Sequence, residues 1–215
     1  MPPTDRFIPS FAAEPPQEAT PSGRWAETLT SEFLAAVSGI DADGEDLGSP
    51  GEIRWFPDRT YAGRTYVPAS ARTSTGFELF GFVSYTGGDG AEPSDFRAQA
   101  DFTAETAEEN PAWKLDLSDE VIAVWRGEGG ARAEITLVWG VPLIRGGALV
   151  TAELANLAVD QCEVQAERFT LIAPDNYMGD FLEVKLWGRR GNELAVESLY
   201  VEDDEDDGPP EAPEG

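Results

Sequence analysis

The feature that most narrows what this chain can fold into is a period of two in its apolar residues. Phe96, Ala98, Ala100 and Phe102 alternate with Arg97, Gln99, Asp101 and Thr103. Ala133, Ile135, Leu137 and Trp139 do the same against Arg132, Glu134 and Thr136. The pattern returns in Cys162, Val164 and Ala166, and again in Leu194, Val196, Ser198 and Tyr200. Successive side chains of a strand point to opposite faces, so each run reads as a strand with one buried face. Phe77 to Tyr85 and Phe181 to Trp187 are apolar on both faces, as in central strands or strands covered by another element.

Turn signals separate these runs: Gly87-Gly88-Asp89-Gly90, Gly127-Glu128-Gly129-Gly130, Gly146-Gly147 and Gly191-Asn192. The second predicts a hairpin joining Val121–Arg126 to Ala131–Trp139, and the last one joining Phe181–Arg189 to Glu193–Val201. About ten short strands at this spacing predict an antiparallel β-sandwich or barrel. No internal repeat of fixed period is present.

One segment has a different period. Trp25, Leu29, Phe33 and Val37 recur every four residues, with Leu34 and Ala36 widening the stripe. Thr20 or Ser22 suits the cap, Pro21 a first helical position and Gly39 the stop. A helix with a single apolar stripe needs a surface to lie on, here a sheet face or a barrel end. The expected organisation is a Pro-rich arm over residues 1–21, a helix-plus-β domain over 22–201 and an acidic tail over 202–215. Phe7, Ile8 and Phe11 form an apolar cluster in the arm, a candidate partner-binding motif or a patch that folds back on the chain's own sheet.

Charge and composition then bound the chemistry. Against 15 basic residues stand 41 acidic ones, a formal net charge of -26. Such a field repels phosphate backbones and anionic membranes, so direct nucleic-acid binding is not expected. It fits salt adaptation, a basic protein partner or, as a further alternative, mimicry of nucleic acid. No stretch approaches the roughly 20 apolar residues of a membrane helix, and the N-terminus lacks the apolar run of a signal peptide, which predicts a cytoplasmic location. Cys162 is the single cysteine, at an apolar position of its strand, and reads as a buried small hydrophobe.

The chain contains no histidine. That removes Ser-His-Asp and Cys-His pairs, His-ligated metals and an imidazole switch near neutral pH. Phosphate cradles of the G-x-x-x-x-G-K and G-x-G-x-x-G kinds are also missing. Carboxylate chemistry remains, and Glu134 and Glu183 are mid-strand acids, although their phase also suits a solvent face. Asp41, Asp43 and Glu45, with Glu52 beyond them, loosely echo a calcium loop. The glycine there falls at the fourth position instead of the sixth, and a strand-like segment follows instead of a helix. Trp125, Trp139 and Trp187 near strand ends raise a carbohydrate-binding reading, but the first two share the phase of core residues. Arg54, Arg59, Arg64 and Arg72 cluster in the first strand region, as internal ion-pair partners or a self-association surface. The leading expectation is a non-catalytic interaction or assembly protein of bacterial type, binding a protein partner or a second copy. The alternative is a small-ligand, calcium or carbohydrate-binding sandwich, extending to a carboxylate-based hydrolase.

Overall fold

The computed structural model describes residues 13–14, 23–87, 92–127, 130–177 and 179–199. The predicted helix is α1 (Gly23–Val37). Leu29 and Phe33 are wholly buried, at the four-residue spacing that defines the stripe. Leu34 is exposed, so the stripe is narrower than expected. The helix ends where Ser38 N–H donates to Leu34 O at 3.0 Å and Gly39 N–H to Ala36 O at 2.9 Å. Thr20, Pro21 and Ser22 lie outside the described residues.

Twelve strands follow in the described residues. They are β1 (Arg54–Trp55), β2 (Arg59–Tyr61), β3 (Arg64–Arg72), β4 (Glu78–Thr86), β5 (Ser94–Thr103) and β6 (Leu115–Arg126). Then come β7 (Arg132–Pro142), β8 (Gly147–Leu154), β9 (Leu157–Glu163), β10 (Phe169–Asp175), β11 (Leu182–Gly188) and β12 (Glu193–Ser198). They form three antiparallel sheets, none closed into a barrel. The first runs β1-β3-β4-β5 with β2 also on β3, the central one β10-β7-β6, and the third β12-β11-β8-β9. Both predicted hairpins are present, β6–β7 and β11–β12.

The layers are fixed by which apolar faces meet. Leu29 and Phe33 of α1 pack on Trp55, Val67, Ala69 and Val83, one face of the first sheet. Its other face brings Tyr66 and Phe82 against Ile135, Leu137, Trp139 and Ile172 of the central sheet. The opposite face of the central sheet carries Val138, Phe169 and Leu171, which meet Val150, Leu154, Val184 and Leu186 of the third. The sandwich therefore has three sheets, with the central one covered by a sheet on each side. Apolar side chains on both faces of β7 and β10 follow from that position. Phe181 to Trp187 holds β11, central in its sheet between β12 and β8, the first of the two expectations for this segment; only Leu182, Val184 and Leu186 are buried there, and among the described residues its other face is not covered by a second sheet. Phe77 to Tyr85 behaves as expected, because α1 covers one side of β4 and the central sheet the other.

A buried ion pair crosses all three sheets. Arg59 on β2 is 2% exposed, and its Nη2 lies 2.8 Å from both carboxylate oxygens of Asp160 on β9. Arg59 Nη1 also donates to Thr170 O at 3.2 Å, and Ile172 N–H donates to Asp160 Oδ2 at 2.8 Å, both on β10. Burial raises the Asp160 pKa, while Arg59 and the backbone donors oppose the shift. Desolvation is large for such a pair, and the hydrogen bonds from both Nη atoms and to Asp160 offset it, while the buried Arg59 Nε has no partner among the described residues.

Of the arm, Ala13 packs beside the cluster between the first and central sheets, and Glu14 N–H donates to Thr60 O at 2.9 Å. Phe7, Ile8 and Phe11 and the acidic tail lie outside the described residues. Among the described residues no helix is long and apolar enough to cross a membrane.

Candidate functional site

A cleft of about 870 Å³ opens where the first and central sheets part at one end of their interface. That is the size range of small-molecule sites. The first sheet supplies a row of polar side chains by register alone. Arg54 on β1 pairs with Ser70 on β3, and Arg72, two residues on, pairs with Glu78 on β4. Directly opposed and i, i+2 residues share a face, so Arg54, Ser70, Arg72 and Glu78 all point the same way. All four line the cleft.

The other wall comes from three places. Asp116 stands on β6 opposite Val141 of β7, and both line the cleft. The loop after β5 brings Thr106 and Glu108, with Glu108 3.3 Å from Arg72. Thr106 O gathers Glu109 N–H, Asn110 N–H and Asn110 Nδ2, which holds that loop in a tight turn. The buried Thr106 Oγ1 has no hydrogen-bond partner among the described residues.

Arg168 arrives on the hairpin between β9 and β10. Gln165 and Arg168 exchange backbone hydrogen bonds at 2.8 and 2.9 Å around Ala166 (φ 48°) and Glu167 (φ 63°). Two consecutive left-handed residues make a type I′ turn, usually built from Asn and Gly. Neither is present here, and each such residue costs roughly 1–2 kcal/mol. The turn is anchored where Arg168 Nη1 donates to Trp55 O at 2.8 Å.

Like charges are crowded on both sides of this site. Burial pushes the Glu78 carboxyl up, the neighbouring Asp116 charge adds to it, and Ser70, Arg54 and Arg72 oppose it. Asp116 is also raised by burial, against Arg54. Burial lowers Arg168, and the Arg54 guanidinium lowers it further, against Glu167 and Glu52. Among the described residues, neither Arg54 nor Arg168 has a carboxylate at ion-pair distance. The other three arginines of the first-strand cluster do pair, Arg59 with Asp160, Arg64 with Asp95 and Arg72 with Glu108.

The residues singled out in the sequence are dispersed. Asp41, Asp43 and Glu45 lie on the exposed loop after α1, where Asp43 N–H donates to Asp41 Oδ1 at 3.3 Å. Glu52 instead lines the cleft. Among the described residues no group of three or more acids or cysteines is gathered as a metal site. Glu134 belongs to the central sheet beside Arg132, and Glu183 to the third sheet beside Lys185. Trp139 is 1% exposed and part of the core, and Trp125 stacks edge-on against Tyr177. Trp187 donates from Nε1 to Thr151 Oγ1 at 2.8 Å. Cys162 is buried, its thiol pushed up to about 12, as suits a packing role.

No motif in the sequence marks Glu78, Asp116 or Arg168 as residues of the cleft. Their one local signal was an acid at the start of a doubly apolar strand (Glu78) and an acid between two leucines (Asp116). Compared with known proteins, the chain matches no family model, no curated protein and no solved structure.

Proposed function

We propose that this chain is a non-catalytic binding protein that holds a small polar ligand in the cleft between its first and central sheets. The observation that carries this reading is the pair Arg54 and Arg168. In a chain with 41 acids to 15 bases, two neighbouring guanidiniums face a cleft without a carboxylate partner among the described residues. Arg54 is exposed and Arg168 half-buried, and guanidiniums are strong hydrogen-bond donors to anionic groups. The rigid sheet scaffold suits binding, because β1, β3 and β4 hold the row in register. A cytoplasmic setting belongs to the same proposal, and a lone buried thiol fits a reducing compartment. Interaction with a protein partner through Phe7, Ile8 and Phe11 rests on the sequence alone.

Ligand-observed NMR against a library of polar metabolites tests this reading, with Arg168→Met as the control. Compounds whose signal disappears with Arg168→Met support it. A library in which no compound responds to the folded protein, or in which Arg168→Met changes nothing, defeats it.

A further inference from the structure

The central sheet is one strand narrower than the sheets that cover it. It has three strands, whereas the path β1-β3-β4-β5 of the first sheet and the third sheet have four each. β4 packs against β6, the outer strand of the central sheet, so β5 projects one strand beyond it. The side chains of β5 carry the mark of that overhang. Asp101, Gln99 and Arg97 stand directly opposite Phe80, Phe82 and Ser84 of β4, and opposed residues share a face. Phe80 and Phe82 pack on the central sheet, yet Arg97, Gln99 and Asp101 on the same face are exposed.

Below the overhang runs the open edge of β6. Among the described residues no strand pairs with its outer side, which leaves a row of backbone donors and acceptors for another strand. Asp119, Val121 and Val124 stand opposite Val138, Thr136 and Glu134, on the face turned to the third sheet. Val121 and Val124 are nonetheless 46% and 41% exposed. Asp119 is exposed too, with no basic residue at ion-pair distance among the described residues.

We propose that this slot receives one extended segment of a basic partner protein, which pairs with β6 as a fourth strand of the central sheet. Main-chain hydrogen bonds supply affinity in such strand addition, and alternate side chains supply specificity. One side of the incoming strand lies under Arg97, Gln99 and Asp101 and is polar. The other adjoins Val121, Val124 and Asp119, which suits apolar residues with a Lys or Arg among them. Charge selects a basic segment over the chain's own tail, where Glu202 to Asp207 are all acids. A second copy does not fit, because its first sheet would arrive over its own β6 and collide with β5. The inference is independent of the cleft.

Fluorescence anisotropy on the full-length chain tests it, with labelled peptides of about ten residues, the length of a strand. The probe alternates Thr with Val and Lys. Its controls replace Lys with Glu, place Pro at the centre, or shuffle the same residues out of alternation. The probe binds saturably, and each control binds roughly tenfold more weakly or worse. Val121→Ser/Val124→Ser weakens the probe by a similar factor with circular dichroism unchanged, and Asp119→Asn narrows the gap between the Lys and Glu peptides. Bound probe slows amide hydrogen exchange in β6 and leaves β12 as it was. Failure of the probe to bind overturns the proposal, and so does a shuffled peptide that binds equally well, since charge alone then explains the binding. A dimer in sedimentation that Val121→Ser/Val124→Ser dissolves assigns the edge to a second copy instead. Protection of β6 that is lost on deleting residues 1–12 assigns it to the chain's own arm, and either result overturns the proposal.

Discussion

Arg59 and Asp160 show how much one pair of residues can carry. Together they link β2, β9 and β10, one strand from each sheet. Asp160→Asn leaves a guanidinium buried without its counter-charge, and a loss of roughly 3–5 kcal/mol in urea unfolding is expected. The double variant Arg59→Met/Asp160→Leu recovers most of that loss, because a pair replaced together leaves no buried charge behind. A double variant as unstable as Asp160→Asn would show that the pair is not the source. Glu78 makes a prediction of opposite sign. Its folded carboxyl holds a proton to higher pH than in the unfolded chain, so the folded state binds more protons in that window. Stability therefore falls as pH rises through the window, and the charged form is a standing penalty above it. Glu78→Gln, which cannot ionise, is more stable than the parent at pH 7, and the advantage vanishes below about pH 4, where the unfolded carboxyl is also protonated. Urea midpoints for both proteins at the two pH values check this, and a gap independent of pH would refute the cause given.

Among the elements, β4 depends most on a single small residue. Gly81 lies between Ala69 of β3 and Ala100 of β5, giving a row of small residues on the face where α1 packs. A Cβ at this position would come 2.1 Å from Gln99 O, and φ is +156°. Gly81→Ala must push β5 away from β4 and disturb the seat of α1. The expected drop in Tm is roughly 4–8 °C, from about 2 kcal/mol of overpacking in a chain of this size. An unchanged Tm would mean that β5 shifts without resistance. The same scale shows what local pattern can and cannot reveal. The β6–β7 and β11–β12 hairpins were legible because a glycine or Gly-Asn turn separates two clean runs. The turn at Ala166-Glu167 was not, since neither residue is a usual left-handed former, and it is this turn that delivers Arg168 to the cleft. The sequence predicts β6 only from Val121, six residues after its start at Leu115. It has a register shift between Val121 and Ala123, which breaks the alternation that a period-two reading needs.

For the whole molecule the dominant fact is the excess of 26 negative charges. The described ion pairs use few of the acids, so the remainder repel one another across the surface. Raising sodium chloride from 0.1 to 1 M contracts the Debye length from about 10 to about 3 Å and screens that repulsion. Tm is expected to rise over this range and to level off once the repulsion is screened. A Tm that stayed flat or fell would mean that the surface charge is already balanced locally. Chloride is the informative salt, because sulfate also strengthens apolar burial by exclusion.

The β class, the single helix and the exclusion of histidine chemistry were determined by the sequence alone. Periodicity and composition are local properties, and a strand shows its buried face within a few residues. The stacking of three sheets was decided only in the tertiary structure. A strand covered on both sides carries the same apolar run whether a helix or another sheet covers it. The cleft belongs to that second level as well. Arg54, Glu78, Asp116 and Arg168 lie far apart in the chain, and each alone looks like an ordinary polar residue. Strand register and a strained hairpin bring them to one opening, and no local pattern in the sequence encodes that meeting.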